Sequence, residues 1–364
     1  MTAPVTKIDE LDSAWLTSAL QETGRLAASQ KVEVVEATEL TAGVAFSTRM
    51  YRLHLQGPAD LPATAIVKLP VEGPVRDLLN AIGAYRKECT FYRDFAHESP
   101  VRVPAPLVVV FDEDTSDFVL VIEDLVEHTP MDQLTGMTLA EAETAARELA
   151  RFHAQWWRHD RLDVYAGSFP ALDSATGRGL LGQYGQVFGA VWPAACAATG
   201  VDGAVREFGE SLPGLLEQLA AALGEPRTLV HGELRAENLF LGAGGELVFV
   251  DFQTLQQAAG PVDLAYLISQ SLPTEVRRGH DERLVRIYHD ELVRSGVADY
   301  PWVEAWTAYR LAVAYNLVLP GMAFMTYEHV GERQQALLVA MIQRAAHCIA
   351  DNDSLSLIQT QVGN

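Results

Sequence analysis

LVHGELRAENLFLGAGGELVFVDFQTLQQAAGPVDLAY, residues 229–266, is the stretch from which the rest of the chain is read. Thr228 to Val230 is a short apolar run of the kind that forms a buried strand. A polar loop follows, His231-Gly232-Glu233-Leu234-Arg235-Ala236-Glu237-Asn238. Leu239 to Leu241 and Glu246 to Val250 then read as the arms of a hairpin. Gly242-Ala243-Gly244-Gly245 supplies the positive φ that its tight turn needs. Asp251 sits at the strand exit. One supersecondary unit therefore presents Glu233, Asn238 and Asp251.

The frame H-x-(acid)-L-x-x-x-N, followed by a strand ending in D-F, matches the catalytic loop and metal loop of kinase-type phosphoryl transfer. In that chemistry a carboxylate orients the attacking hydroxyl. An amide oxygen and a second carboxylate suit a hard divalent cation that neutralises phosphate charge. The stretch resembles the aminoglycoside phosphotransferase and choline kinase-like superfamily, whose pattern is H-G-D-x-x-x-x-N, then a strand and an aspartate. The V-D-F-Q ending, Val250 to Gln253, and the later G-P-V-D-L-A-Y-L, Gly260 to Leu267, resemble the ecdysteroid kinase-like branch most. The chain departs from the pattern at one place, with Glu233 where the pattern has aspartate.

Upstream, Val32 to Leu40, Met50 to Leu55 and Ala65 to Leu69 read as three strands. Between the first two lies Thr41-Ala42-Gly43-Val44-Ala45-Phe46-Ser47-Thr48, a small-residue turn whose N–H groups could approach phosphate oxygens. With a single glycine it is a weak signal, and on its own a plain turn is the better reading. Lys68, one of four lysines among 27 basic residues, ends the third strand inside AIVKLP. A lysine in an apolar strand costs free energy unless its ammonium is paired. Glu88 falls on the following helix, read as running from Val75 to Phe95. The resemblance implies that Lys68 contacts the α- and β-phosphates while Glu88 holds it in place. Leu107 to Phe111 and Phe118 to Ile122 complete a five-stranded antiparallel sheet. Glu123-Asp124-Leu125 then leaves it, where the resemblance places backbone groups on the adenine edge, at Glu123 and Leu125. The nucleotide-binding set is thus Gly43, Ser47, Lys68, Glu88, Glu123 and Leu125.

Beyond Gly136 the chain reads helical. Thr138-Leu139-Ala140-Glu141 fits a capping box before a helix from Leu139 to Arg158. His153 within it is read as a hydrogen-bonded packing residue. Residues 160–226 are rich in alanine and glycine and resemble the superfamily's helical insert beside the acceptor. Closing helices are expected over Glu282 to Ser295, Trp302 to Leu319 and Glu332 to Ala350, with a frayed segment from Asp351 to Asn364. Asp263 is expected to accept hydrogen bonds from loop N–H groups.

Composition narrows the alternatives. The 364 residues can bury one large core or two modest ones, and 49% hydrophobic with 21% charged residues describes a soluble globular protein. A net charge of −21 disfavours nucleic acid and a polybasic membrane anchor. Cys89, Cys196 and Cys348 are far apart in sequence, without a C-x-x-C pair, which fits a reducing cytoplasm. No apolar run is long enough to span a bilayer.

The expectation is a bilobal protein-kinase-like α+β fold, with an antiparallel N-lobe over residues 1–125 and a mainly helical C-lobe over 126–364. The expected activity is Mg²⁺-ATP-dependent phosphorylation of a hydroxyl on a small molecule. Glu233, Asn238 and Asp251 would carry it, with Asn238 and Asp251 ligating the metal. A steroid-like alcohol or an amine such as an aminoglycoside are both open as acceptor. Glutamate adds one methylene, roughly 1.5 Å, to the reach of the carboxylate. A second reading therefore stays open, a nucleotide-binding pseudokinase acting as a sensor or partner-binding module.

Overall fold

The computed structural model describes residues 2–40 and 47–361. The chain falls into two compact units, one of Met1–Thr129 with Val248–Thr254, the other of Pro130–Leu247 with Leu255–Asn364.

In the first unit, helix α1 (Ser13–Glu22) starts at Asp12, whose carboxylate accepts the Trp15 N–H at 2.7 Å. Strands β1 (Glu33–Glu39), β2 (Thr48–Gln56) and β3 (Thr64–Pro70) are followed by helices α2 (Pro74–Ala81) and α3 (Ala84–Asp94). Strands β4 (Pro106–Phe111) and β5 (Phe118–Glu123) complete a five-stranded sheet of order β1-β2-β3-β5-β4, every neighbour antiparallel. This is the expected sheet. Strand alternation sorts its central residues by face. Ala65, Val67 and Leu69 join Leu16 and Leu20 of α1 in one apolar cluster. Lys68 therefore projects from the opposite face of β3. The single helix expected over residues 75–95 is two helices. Gly83 adopts φ 71°, a left-handed conformation that ends α2 and caps the start of α3. That break sets the direction of α3 independently of α2, and α3 carries Glu88.

Residues 248–254, the end of the hairpin's second arm and the turn after it, group with the first unit. Phe252 stacks on Phe91 of α3 with ring centroids 3.7 Å apart, and the Phe249 N–H donates to the Arg102 carbonyl at 2.9 Å. The metal-loop aspartate, expected with the helical half, thus belongs to the strand-rich one.

Strand β6 (His128–Pro130) leads to the second unit. Helix α4 (Leu139–Gln155) begins with the expected capping box between Thr138 and Glu141. The insert holds α5 (Arg161–Val164), α6 (Ala175–Thr199) and α7 (Gly203–Leu223). At Gly209 any side chain would strike the Trp192 ring, so the glycine lets α6 and α7 approach closely. Strands β7 (Arg227–Val230), β8 (Leu239–Gly242), β9 (Leu247–Phe249) and β10 (Gln256–Ala259) frame the loop, with β10 antiparallel to β7. Helix α8 (Pro261–Ser271) is buried along its whole length. Helices α9 (Thr274–Arg277), α10 (Asp281–Arg294), α11 (Trp302–Tyr315), α12 (Val318–Ala323), α13 (Glu332–Asp351) and α14 (Ser354–Gln361) follow.

Within the segment expected to fray, Ser354–Gln361 is helical. Arg277, Tyr309 and Asn352 all donate to the buried Asp281 carboxylate, at 2.6, 2.6 and 3.0 Å, and tie the start of that segment to α9, α10 and α11. Among the described residues no helix is long and apolar enough to cross a membrane.

Candidate active site

In the first unit, the Lys68 ammonium lies 2.5 Å from Glu88 Oε1 and 3.7 Å from Asp251 Oδ1. The three residues expected to act on phosphates and metal in this half are therefore brought together. Burial pushes the lysine towards its neutral form, but the Glu88 and Asp251 charges outweigh it and hold the pKa above its ordinary value. Burial and the Asp251 charge push the Glu88 carboxyl up against the opposing pull of Lys68. Asp251 adopts φ 68°, the left-handed region that a non-glycine residue rarely occupies. Its Oδ2 accepts from Gln253 Nε2 at 3.3 Å. The strain sits at a partly exposed carboxylate.

The rest of the nucleotide set is dispersed by role. Gly43 lies outside the described residues. The Ser47 carbonyl accepts the Tyr85 hydroxyl at 2.9 Å, and that hydroxyl accepts the Val71 N–H, which pins the end of the turn to α3. Glu123 uses its side chain on Arg102 and on the Ala105 N–H, and its own N–H donates to the Ala105 carbonyl at 2.9 Å. Its N–H is thus engaged within the protein. The Leu125 carbonyl accepts from the His128 N–H at 3.0 Å.

In the second unit, Glu233 is half-buried, and its backbone carbonyl accepts from Asn238 Nδ2 at 2.9 Å. That bond engages the amide nitrogen of Asn238 and not its oxygen, the atom a hard cation prefers. Asp251 offers a carboxylate and Asn238 an amide, both oxygen-bearing side chains of the type a hard cation takes. Arg235 pairs with Glu237 at 3.2 Å. The Tyr184 phenol on α6 is pushed up to about 12, first by burial and then by the Glu233 charge. The Glu233 charge also adds to burial in raising Tyr266.

Beneath the loop, Asp263 accepts the His231 N–H at 2.6 Å and the Gly232 N–H at 2.8 Å, the role expected of it. His153 Nε2 lies 3.2 Å from Asp263 Oδ2, and its Nδ1 lies 2.8 Å from the Tyr288 hydroxyl. A carboxylate at Nε2 places the ring proton there, so Nδ1 accepts from Tyr288. His153 is the hydrogen-bonded packing residue read from the sequence. Its partner Tyr288 was missed, because nothing local marks a tyrosine 135 residues downstream. Gly260 leaves room for both rings: a Cβ there would meet the Tyr288 hydroxyl and lie 2.7 Å from His153 Nδ1.

The sequence pattern of the ecdysteroid kinase-like family matches residues 42–156 and 172–297. The chain belongs to the ecdysteroid kinase-like family. Spectinomycin phosphotransferase APH(9)-Ia, solved with ADP and spectinomycin, shares 10% identity at TM-score 0.53, over 92% of this chain and 98% of its own. The aminoglycoside phosphotransferase APH(2″)-IIa, solved with gentamicin, shares 16% at TM-score 0.50, over 87% and 94%. Macrolide 2′-phosphotransferase MphH from Brachybacterium faecium shares 17% at TM-score 0.47, over 89% and 97%. No curated protein sequence matches the chain. At these identities the first two likenesses establish the fold, that of the kinase-like phosphotransferases. Family and fold together identify a small-molecule kinase type of protein.

Proposed function

We propose that this member of the ecdysteroid kinase-like family is a Mg²⁺-ATP-dependent phosphotransferase acting on the hydroxyl of a small molecule. The observation that carries the reading is Lys68, buried and held between Glu88 and Asp251. A buried ammonium with two carboxylate neighbours keeps its charge and points a fixed cation at a polyphosphate. Asp251 and Asn238 are the residues to hold Mg²⁺, which when bound neutralises charge on the phosphate oxygens. Glu233 orients the acceptor hydroxyl and takes its proton as the oxygen bonds to the γ-phosphorus and ADP departs with the broken P–O bond. Asp263 and His153 keep the loop that carries Glu233 in register, since two loop N–H groups end on one carboxylate.

Tyr184 and Tyr266 stand near enough to Glu233 to feel its charge. Aromatic hydroxyls beside a carboxylate suit an acceptor with both apolar surface and polar groups. Proteins of similar fold have been solved with spectinomycin and gentamicin, which supports polyhydroxylated amines as a first screen beside lipophilic alcohols.

A second reading rests on Glu233 itself. Misplacing a reacting group by about 1 Å can cost on the order of 100-fold in rate, and a longer carboxylate in the loop favours a nucleotide-binding protein without transfer. Calorimetric titration of ATP with and without Mg²⁺, followed by transfer assays on wild type and Glu233→Gln, separates the two. Mg²⁺-strengthened binding with transfer abolished in Glu233→Gln supports the kinase. Binding without transfer to any acceptor supports the second reading. Transfer by Glu233→Gln at the wild-type rate removes Glu233 from the mechanism.

A further inference from the structure

Among the buried polar atoms of the first unit that have no hydrogen-bond partner, two belong to residues four apart on α3. Glu88 uses Oε1 on Lys68 while Oε2 has no partner, and the Tyr92 hydroxyl likewise has none. Their residues are 1% and 2% exposed, so bulk water does not satisfy them. An orphaned buried oxygen of this kind is costly, and more so when charged. Two orphans side by side are therefore unlike two scattered ones. Residues four apart on a helix are neighbours, and a long helical side chain leans back over the turn before it, which sends the Tyr92 ring towards Glu88. The Glu88, Asp251 and Glu123 charges all reach the Tyr92 phenol and add to burial in raising its pKa. The ring itself is fixed, packing edge-on against Phe252 with centroids 5.9 Å apart.

We propose that Tyr92 is a positioning residue for the nucleotide site: its hydroxyl and Glu88 Oε2 share one buried water, which holds the Glu88 carboxylate square to Lys68. The hydroxyl donates to the water, and the water donates to Oε2, so each orphan gains the partner it lacks. Lys68 makes a single close contact to Glu88 and a looser one to Asp251. A carboxylate free to rotate about its last bond would let the ammonium swing between the two. With Oε2 tethered, one position of the ammonium is selected before nucleotide arrives. Tyr92 also links that pair to the strained Asp251, because the ring it holds, Phe252, is the next residue in the chain.

The inference rests on the proposed nucleotide binding, and the experiment keeps the two apart. Mg²⁺-ATP affinity is measured by calorimetry for wild type, Tyr92→Phe, Glu88→Gln and the double variant, with a thermal melt of each. Phenylalanine keeps the ring against Phe252, so the fold is preserved and only the hydroxyl is lost. Tyr92→Phe is expected to weaken binding roughly tenfold, the effect of one hydrogen bond to a charged group. In the Glu88→Gln background the same change is expected to alter affinity by less than about twofold, because a neutral amide replaces the charged acceptor. A purely structural tyrosine would produce equal losses in both backgrounds. Equal losses, or a Tyr92→Phe protein that binds as wild type does, overturn the inference and leave the nucleotide site standing. Wild type that binds no Mg²⁺-ATP overturns both.

Discussion

Glu88 in the first unit and Asp263 in the second are both buried carboxylates beside candidate site residues, and they are treated in opposite ways. Asp263 is saturated: Oδ1 takes one backbone N–H, and Oδ2 takes another with the His153 ring beside it. Glu88 has one partner, an ammonium shared with Asp251, and an oxygen left over. A saturated acceptor fixes geometry, since every donor would be stranded by movement. One with a single direct protein partner leaves its other oxygen to a water, a less rigid tie. The second unit thus carries a braced loop, and the first a charged cluster with its bonding incomplete.

The comparison is broken most sharply at Asp263. Asp263→Ala strands two backbone N–H groups and the His153 ring, at about 1–3 kcal/mol per stranded donor, so a loss of about 3 kcal/mol or more is expected in the unfolding free energy measured with urea. A smaller loss means that the brace is not where the loop's order comes from. Gly260→Ala tests the same network by crowding. Its φ of −54° suits alanine, so the expected loss of about 1–3 kcal/mol arises from contact with Tyr288 and His153 alone. Tyr288→Phe in the same chain removes the crowded oxygen and should recover part of that loss in the thermal midpoint. If it recovers none, the clash lies elsewhere.

On the other side, Glu88→Gln should move stability by only about 1 kcal/mol. The ion pair it loses is offset by the burial cost it removes, and Lys68 keeps Asp251. A loss as large as that of Asp263→Ala would erase the contrast between the two carboxylates. The smallest effect is expected at Asp251. Glycine there relieves the positive φ while loosening the unfolded chain, two opposed effects of about 1 kcal/mol each. Asp251→Gly should therefore melt near wild type while losing Mg²⁺-dependent ATP binding. A large drop in melting temperature would mean that the aspartate serves the fold rather than the site.

Much of this was legible in the sequence, for identifiable reasons. Strands β1 to β5 follow alternation and β-branched content, signals that the chain carries locally. The Lys68–Glu88 pairing was legible because a buried lysine requires a partner and the next helix offered one. Asp263 was legible from its spacing after the loop. The rest depended on contacts that no window of sequence contains. Strand β10 reads Gln-Gln-Ala-Ala, with no strand preference of its own, and exists because β7 pairs with it. Gly83 divides a run whose apolar spacing suits one helix, and only its left-handed backbone shows the division. The grouping of Asp251 with the strand-rich unit follows from Phe252 stacking on α3, a contact that the hairpin's sequence does not foreshadow. Tyr92 was visible as a core aromatic four residues after Glu88, but its role depends on which oxygens are left without partners.

The Asp281 cluster carries a consequence for how the protein is made. Arg277 is in place early, but two of the donors that stabilise this buried carboxylate, Tyr309 and Asn352, are synthesised later, the last 71 residues after Asp281 itself. Translation proceeds at about 5–20 residues per second, so for some seconds α9 and α10 hold a carboxylate whose full set of partners has not been translated. During that interval the second unit is a candidate client for chaperones, while the sheet built from β1 to β5 already has all of its strands.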